Sequence, residues 1–105
     1  MHKEIQKLGL SHNESKVYLS LLEVGKATVS QLAELSSIKR TTTYSTLQSL
    51  FKLGLVREEI NGHKKTFIPE SPHKLNKLTK KMRRQTVAAE IQLEQILPKL
   101  ENKAK

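Results

Sequence analysis

Along the first seventy residues the apolar positions come in short groups, and nearly every group ends at a glycine or a proline. Ile5 and Leu8 form the first, with Gly9 placed to close a helix. Ser11 followed by Glu14 is a capping box. Val17, Leu21 and Val24, with Tyr18 and Leu22 beside them, then share one face and predict a helix to about Val24, ended by Gly25. Thr28 and Gln31 repeat the box ahead of Val29, Leu32, Ala33 and Leu35. The break Ser36-Ser37-Ile38 separates this short helix from a longer one. That helix begins near Lys39, carries Thr43, Leu47 and Leu50 on one face, and ends at Leu53-Gly54. Two helices joined by about three or four residues make a helix-turn-helix.

The period then drops to two. Leu55 to Ile60 and His63 to Ile68 read as strands, with Asn61-Gly62 as a type I′ turn between them. That turn sets Glu59 opposite Lys64, Glu58 opposite Lys65 and Val56 opposite Phe67, two opposite-charge pairs and one core pair. From Pro72 to about Lys103 a single long helix follows, about 48 Å at 1.5 Å per residue. Its stripe of Leu75, Leu78, Met82, Thr86, Ala89, Leu93, Ile96 and Leu100 has no further element to cover it. It therefore predicts a homodimer seam through Leu75, Leu78, Met82, Ala89, Leu93, Ile96 and Leu100. Pro98 is expected to kink or fray the last turn. The fold class is mainly α with a small β-hairpin. A winged helix-turn-helix occupies 1–70, and a long C-terminal dimerisation helix, of coiled-coil type, occupies 71–105.

Composition narrows the chemistry. The chain has no Cys and no Asp, so disulfides, thiolate metal sites and cysteine nucleophiles are excluded and all ten acidic residues are Glu. His2, His12, His63 and His73 fall at none of the spacings of a metal site. Neither a Ser/His/acid grouping nor a glycine-rich phosphate loop is present, which argues against an enzyme and implies no cofactor and no metal. No apolar run approaches the roughly 18 to 20 residues of a membrane span, and Met1-His2-Lys3-Glu4 does not open a secretory signal. The expectation is a cytoplasmic protein, found at the nucleoid when bound to DNA.

Charge names the partner. Nineteen Lys and Arg against ten Glu leave a net +9, which points to a polyanion, here double-stranded DNA. In a winged helix-turn-helix the second helix of the pair presents its N-terminal residues to the major groove. The positions that the core face leaves free are Lys39, Arg40, Thr41, Thr42, Tyr44, Ser45 and Gln48, and from Ser36 to Arg57 there is no acidic residue. Arg40 suits a guanine edge or a phosphate, and Gln48 suits adenine. Tyr44 either donates to a phosphate or packs sideways against the first helix. At the wing tip His63, Lys64 and Lys65 are set for the backbone or minor groove, unless Glu59 and Glu58 already occupy the two lysines. Lys74, Lys77, Lys80, Lys81, Arg83 and Arg84 form a second basic block. From Pro72 to Lys105 nine basic residues against three Glu leave +6. That block either flanks the DNA or is the solvated outside of a coiled coil.

Several ordered motifs resemble the TrmB-like winged-helix transcription regulators. They run from Leu8-Gly9-Leu10-Ser11, Glu14, Val17-Tyr18 and Leu21-Leu22 through Gly25-Lys26-Ala27-Thr28, Leu32-Ala33 and Ile38-Lys39-Arg40-Thr41-Thr42-Thr43-Tyr44. Leu47, Ser49-Leu50, Leu53-Gly54-Leu55-Val56, Phe67-Ile68-Pro69 and Leu97-Pro98 complete the set, over roughly residues 4 to 100. The resemblance implies operator binding as a dimer, with Arg40 to Gln48 in the recognition role. Lys39 stands where the family often has Pro, and Thr43 where it commonly has Val, so the recognition helix is expected to start differently and pack less tightly. Larger relatives carry a C-terminal sugar-sensing domain. A short form without it is expected here, with no identifiable small-molecule effector. The alternatives to a sequence-specific regulator are a winged-helix protein-interaction module of a transcription or chromosome-associated complex, and a nonspecific architectural DNA binder.

Overall fold

A computed structural model describes residues 1–104, with no side-chain description for His2; Lys105 lies outside the described residues. Helices α1 (His2–Gln6), α2 (His12–Val24), α3 (Val29–Ser36) and α4 (Arg40–Lys52) lead into a hairpin of β1 (Val56–Asn61) and β2 (Lys64–Pro69). A 3-10 turn, Pro72–Leu75, then starts the long helix α5 (Asn76–Lys103). Both capping boxes form with both reciprocal bonds: Ser11 with Glu14 opens α2, and Thr28 with Gln31 opens α3. Three residues separate α3 from α4, and Ser37 among them takes the left-handed conformation (φ 56°) that turns the chain between the two helices.

The core gathers Leu10, Val17, Tyr18, Leu21, Ala27, Leu32, Leu47, Leu50, Leu55, Val56, Phe67 and Leu78. Small hydroxyls complete it, because each returns its proton to a backbone carbonyl. Ser15 donates to Ser11, Ser36 to Leu32, Thr43 to Ile38 and Thr46 to Thr42. Thr43, expected to loosen the recognition helix, is fully buried. Lys39 caps the start of that helix without a side-chain bond.

Val24, expected on the shared apolar face of α2, lies outside, as does Leu35 of α3. Val24 and Leu35 are 46% and 54% exposed. Val24 sits at the last residue of α2, and Leu35 stands on the flank of α3 while Leu32 and Ser36 take the inward positions. Together they line a shallow concavity with Lys26, Ala27, Gln31 and Glu34.

The hairpin departs from the predicted register. Asn61 pairs with Lys64, Glu59 with Thr66, Glu58 with Phe67 and Val56 with Pro69, so the loop residues are Gly62 and His63. Gly62 has φ 65° while His63 does not have a positive φ, which excludes a type I′ turn. The slide is by two residues. An even slide keeps every side chain on its face, so Val56 and Phe67 still point into the core. Contacts outside the hairpin hold this register. Ala27 exchanges both backbone bonds with Phe67 (3.1 and 2.7 Å), and Glu70 N–H donates to the Leu55 carbonyl at 2.8 Å. The Tyr18 hydroxyl donates to the Glu70 carbonyl at 3.2 Å.

The long helix also differs from its expected role at its near end. Leu78 is only 6% exposed and belongs to this domain's own core, with Leu75 packed against it. Neither is free for the dimer seam. Met82 sits against Gly9, its Sδ 3.6 Å from where a Cβ on that glycine would stand. The domain therefore borrows the 3-10 turn and the first two turns of α5. Beyond them α5 projects, giving the molecule dimensions of 64 × 28 × 27 Å. The helix does not fray at Pro98 but continues to Lys103, at the cost of the one ladder bond a proline cannot donate.

If Leu78 seals this domain, Leu78→Ala should cost about 2–5 kcal/mol of unfolding free energy. Urea unfolding should give the same loss at low and at tenfold higher protein concentration. A loss that shrinks as concentration rises would return Leu78 to an intermolecular seam.

Candidate nucleic-acid interface

One concave surface of about 700 Å³ collects side chains from three elements. Arg40, Thr41 and Tyr44 come from the start of α4, His63, Lys64 and Lys65 from the wing tip, and Thr28, Val29 and Ser30 from the start of α3. The sequence had named the first six. The three from α3 were missed as site residues, although their capping box was legible. A first-turn N–H group has no partner inside its helix. The box satisfies that of Gln31, while Val29 and Ser30 of the same turn line the concavity.

The remaining candidates are placed differently. Lys39 and Ser45 are exposed but do not line the concavity, and Ser45 Oγ donates to the Thr42 carbonyl at 2.9 Å. Thr42 is half-buried, and its carbonyl also accepts from Thr46. Gln48 is half-buried and donates to Glu58 Oε1 at 3.3 Å, so its amide is held toward the wing rather than toward the open groove.

Within the chain Tyr44 meets the wing. It is 46% exposed, and its ring carries the Lys65 ammonium at 5.6 Å from the centroid, with the Phe67 ring at 5.7 Å from the same nitrogen. Lys65 also meets Glu58 Oε1 at 3.3 Å. This half-buried cation is thus held by two rings and a carboxylate, a cation–π and ion-pair cluster that ties the wing to α4.

The ion pairs sort the cations into held and free. Glu59, expected opposite Lys64, instead accepts from Lys26 Nζ at 2.7 Å. Arg57 Nε pairs with Glu70 at 3.0 Å and so leaves the set of phosphate-facing cations. Arg40 and Lys64 have no carboxylate partner among the described residues. No carboxylate lines the concavity. Burial, then the nearby Glu70 carboxylate, raises the pKa of Tyr18, which keeps its hydroxyl protonated as the donor to the wing.

A short helix, an αL turn, a second helix with an open basic N-terminal face and a hairpin tied alongside define a winged helix-turn-helix. Residues 5–73 match the model of the family described as the sugar-specific transcriptional regulator TrmB. The chain belongs to that family, DNA-binding transcription regulators built on a winged helix. The HTH-type sugar sensing transcriptional regulator TrmBL1 of Pyrococcus furiosus is 33% identical over 70 residues, 67% of this chain and 20% of that protein. The chain thus spans about one fifth of that relative's length. TrmBL2, described as an archaeal chromatin protein with a novel mode of DNA binding, superposes with a TM-score of 0.67 at 26% identity, over 96% of this chain and 42% of its own. The fold recurs in the ST1889 protein of Sulfolobus tokodaii (TM-score 0.62, 20% identity, 81% of this chain and 97% of that one). It recurs also in a MarR family regulator from Silicibacter pomeroyi (TM-score 0.61, 23% identity, 96% and 69%).

The Lys26–Glu59 pair brackets the attachment of the wing and has a pH signature. Its hydrogen bond to Lys26, and then the Lys26 charge, lower the Glu59 pKa below the ordinary carboxylate value. A group lowered on folding stabilises fully above its unfolded pKa, and the contribution fades as pH falls through the lowered value. An NMR titration should therefore place the Glu59 midpoint below the usual Glu range. In Lys26→Gln it should return to that range, with faster amide exchange at Phe67.

Proposed function

We propose that the protein is a sequence-specific regulator of transcription that binds double-stranded DNA as a homodimer. The N-terminal part of α4 lies in the major groove, and the wing lies on the backbone or in the adjacent minor groove. The observation that carries this reading is the acid-free concavity, in which Arg40 and Lys64 stand without carboxylate partners. A carboxylate there would repel phosphate, and an unpaired guanidinium can present two parallel donors to a guanine edge. Thr41 and Tyr44 supply hydroxyls to phosphate or base. Lys39, Thr42, Ser45 and Gln48 complete the recognition helix, with Gln48 needing release from Glu58 before it can read a base.

The dimer rests on the outer half of α5. Leu93 and Leu100 are exposed there, with Ile96 between them on the same stripe and Ala89 one turn earlier. Together they form an apolar face left largely exposed among the described residues. A two-fold seam would carry two recognition helices, so the site should be a near-palindrome with half-sites about one duplex turn, or a multiple of it, apart. A sequence-independent chromatin role is the second reading, favoured by the similarity to TrmBL2.

Three measurements separate these readings. Arg40→Ala should cost about 1–3 kcal/mol on the best site and relax discrimination, whereas Lys64→Ala should weaken all sequences alike. Equal losses for Arg40→Ala on specific and random duplexes would favour the chromatin role. The log K against log salt of the dimer should have a slope beyond about −6; salt-independent binding would favour a protein-contact module. Leu93→Glu with Leu100→Glu should give a folded monomer by light scattering and at least a tenfold loss on the full site, since avidity goes with the second subunit. A double variant that stays dimeric would remove α5 from the interface.

A further inference from the structure

The block Lys74, Lys77, Lys80, Lys81, Arg83 and Arg84 lies at the start of α5 and its leading 3-10 turn, and every one of these side chains is exposed. None has a carboxylate partner among the described residues, whereas Lys26, Arg57 and Lys65 around the wing are each paired with a Glu. No acidic residue occurs between Glu70 and Glu90. This placement is costly twice over. Like charges three and four residues apart repel on a helix surface. The N-terminal part of a helix also carries the positive end of the dipole, which favours anions, and the first turn of α5 has no acidic residue. An external polyanion relieves both.

The cations are also aligned. Lys74, Lys77, Lys81 and Arg84 follow a spacing of three, four and three residues, with Lys80 beside them, so they form one row. Leu75 and Leu78, on the flank next to the row, pack onto the domain, while every cation of the row is exposed. The row is about 15 Å long at 1.5 Å per residue. Along one strand of a duplex that length meets about four phosphates, at roughly 3.4 Å of axis each. No residue of α5 lines the recognition concavity, so the row is a separate surface.

We infer that this row is a second DNA-contact surface, which holds the phosphate backbone of duplex outside the stretch in the concavity and reads no bases. The inference rests on the DNA-binding reading above. An even row of cations with no aromatic side chain within it matches a uniform line of phosphates rather than splayed bases or an irregular acidic protein face.

The test is the full-length triple variant Lys77→Gln/Lys81→Gln/Arg84→Gln, with Lys3→Gln/Lys7→Gln/Lys99→Gln as a control of equal charge change. Fluorescence anisotropy on a 40-base-pair duplex, random or carrying the selected site, is followed across a NaCl series. The triple variant should lose at least about tenfold in affinity on both duplexes, and its salt slope should become shallower by about two to three per protomer, about five for the dimer, at roughly 0.9 per phosphate contact. The control should change both much less. Circular dichroism checks that α5 remains helical; should the triple variant lose helix, Lys81→Gln alone should lower the dimer's slope by about two. Unchanged affinity and slope, or a loss equal to that of the control, would overturn the inference. Arg40→Ala measured alongside tells the two readings apart. Lost site discrimination there with an unaffected row variant defeats this inference alone, and no effect from either defeats both.

Discussion

Two backbone hydrogen bonds between Ala27 and Phe67 hold the wing to the helix-turn-helix, and the geometry of the interface follows from them. Ala27 lies in the four-residue link between α2 and α3, so one rung of ladder joins the approach to α3 to the middle of β2. Phe67 is thereby fully buried under the helices, and Lys65, two residues earlier on the same face, comes to rest against Tyr44 of α4. Lys26 bonds Glu59 on one side of this rung, while Glu70 engages Leu55, Tyr18 and Arg57 beyond the end of the strand. A two-stranded hairpin alone is marginal in water. Here it is a rigid wall of the groove because the body of the domain holds it at several points.

The same contacts decide which charges face a ligand. Pairing within the domain withdraws Lys26, Arg57 and Lys65 as free cations, while Arg40 and Lys64 remain open at the mouth of the concavity. Exposed ion pairs contribute little to stability, commonly below about 1 kcal/mol. Their larger consequence is electrostatic: a domain that pairs its scaffold cations and leaves its groove and α5 unpaired focuses its field on those two surfaces.

The long helix has two duties at different points along its length. Its first turns close the core through Leu75 and Leu78 and reach Gly9 with Met82. Its outer turns leave Val87, Ile91, Leu93, Leu97 and Leu100 about half exposed. The first turns of α5 thus share the core of the winged domain, while the outer turns project from it.

Element order, both capping boxes, the break after α3 and the basic face of α4 were legible in the chain, because each rests on contacts within about four residues. The TrmB membership was legible too, through motifs spread along the winged domain. Less was visible where distant residues compete. Two hairpin registers two residues apart bury the same face, so alternation cannot choose between them, and charge pairing favoured the wrong one. The observed register is set by Ala27, Leu55 and Tyr18. Likewise a heptad-like stripe states that Leu78 is buried but not by what. The answer lay in the domain's own core cluster, which Leu78 joins. Local periodicity thus sufficed for which elements form, while the partner of each apolar or charged side chain depended on which surfaces the folded chain brings within reach.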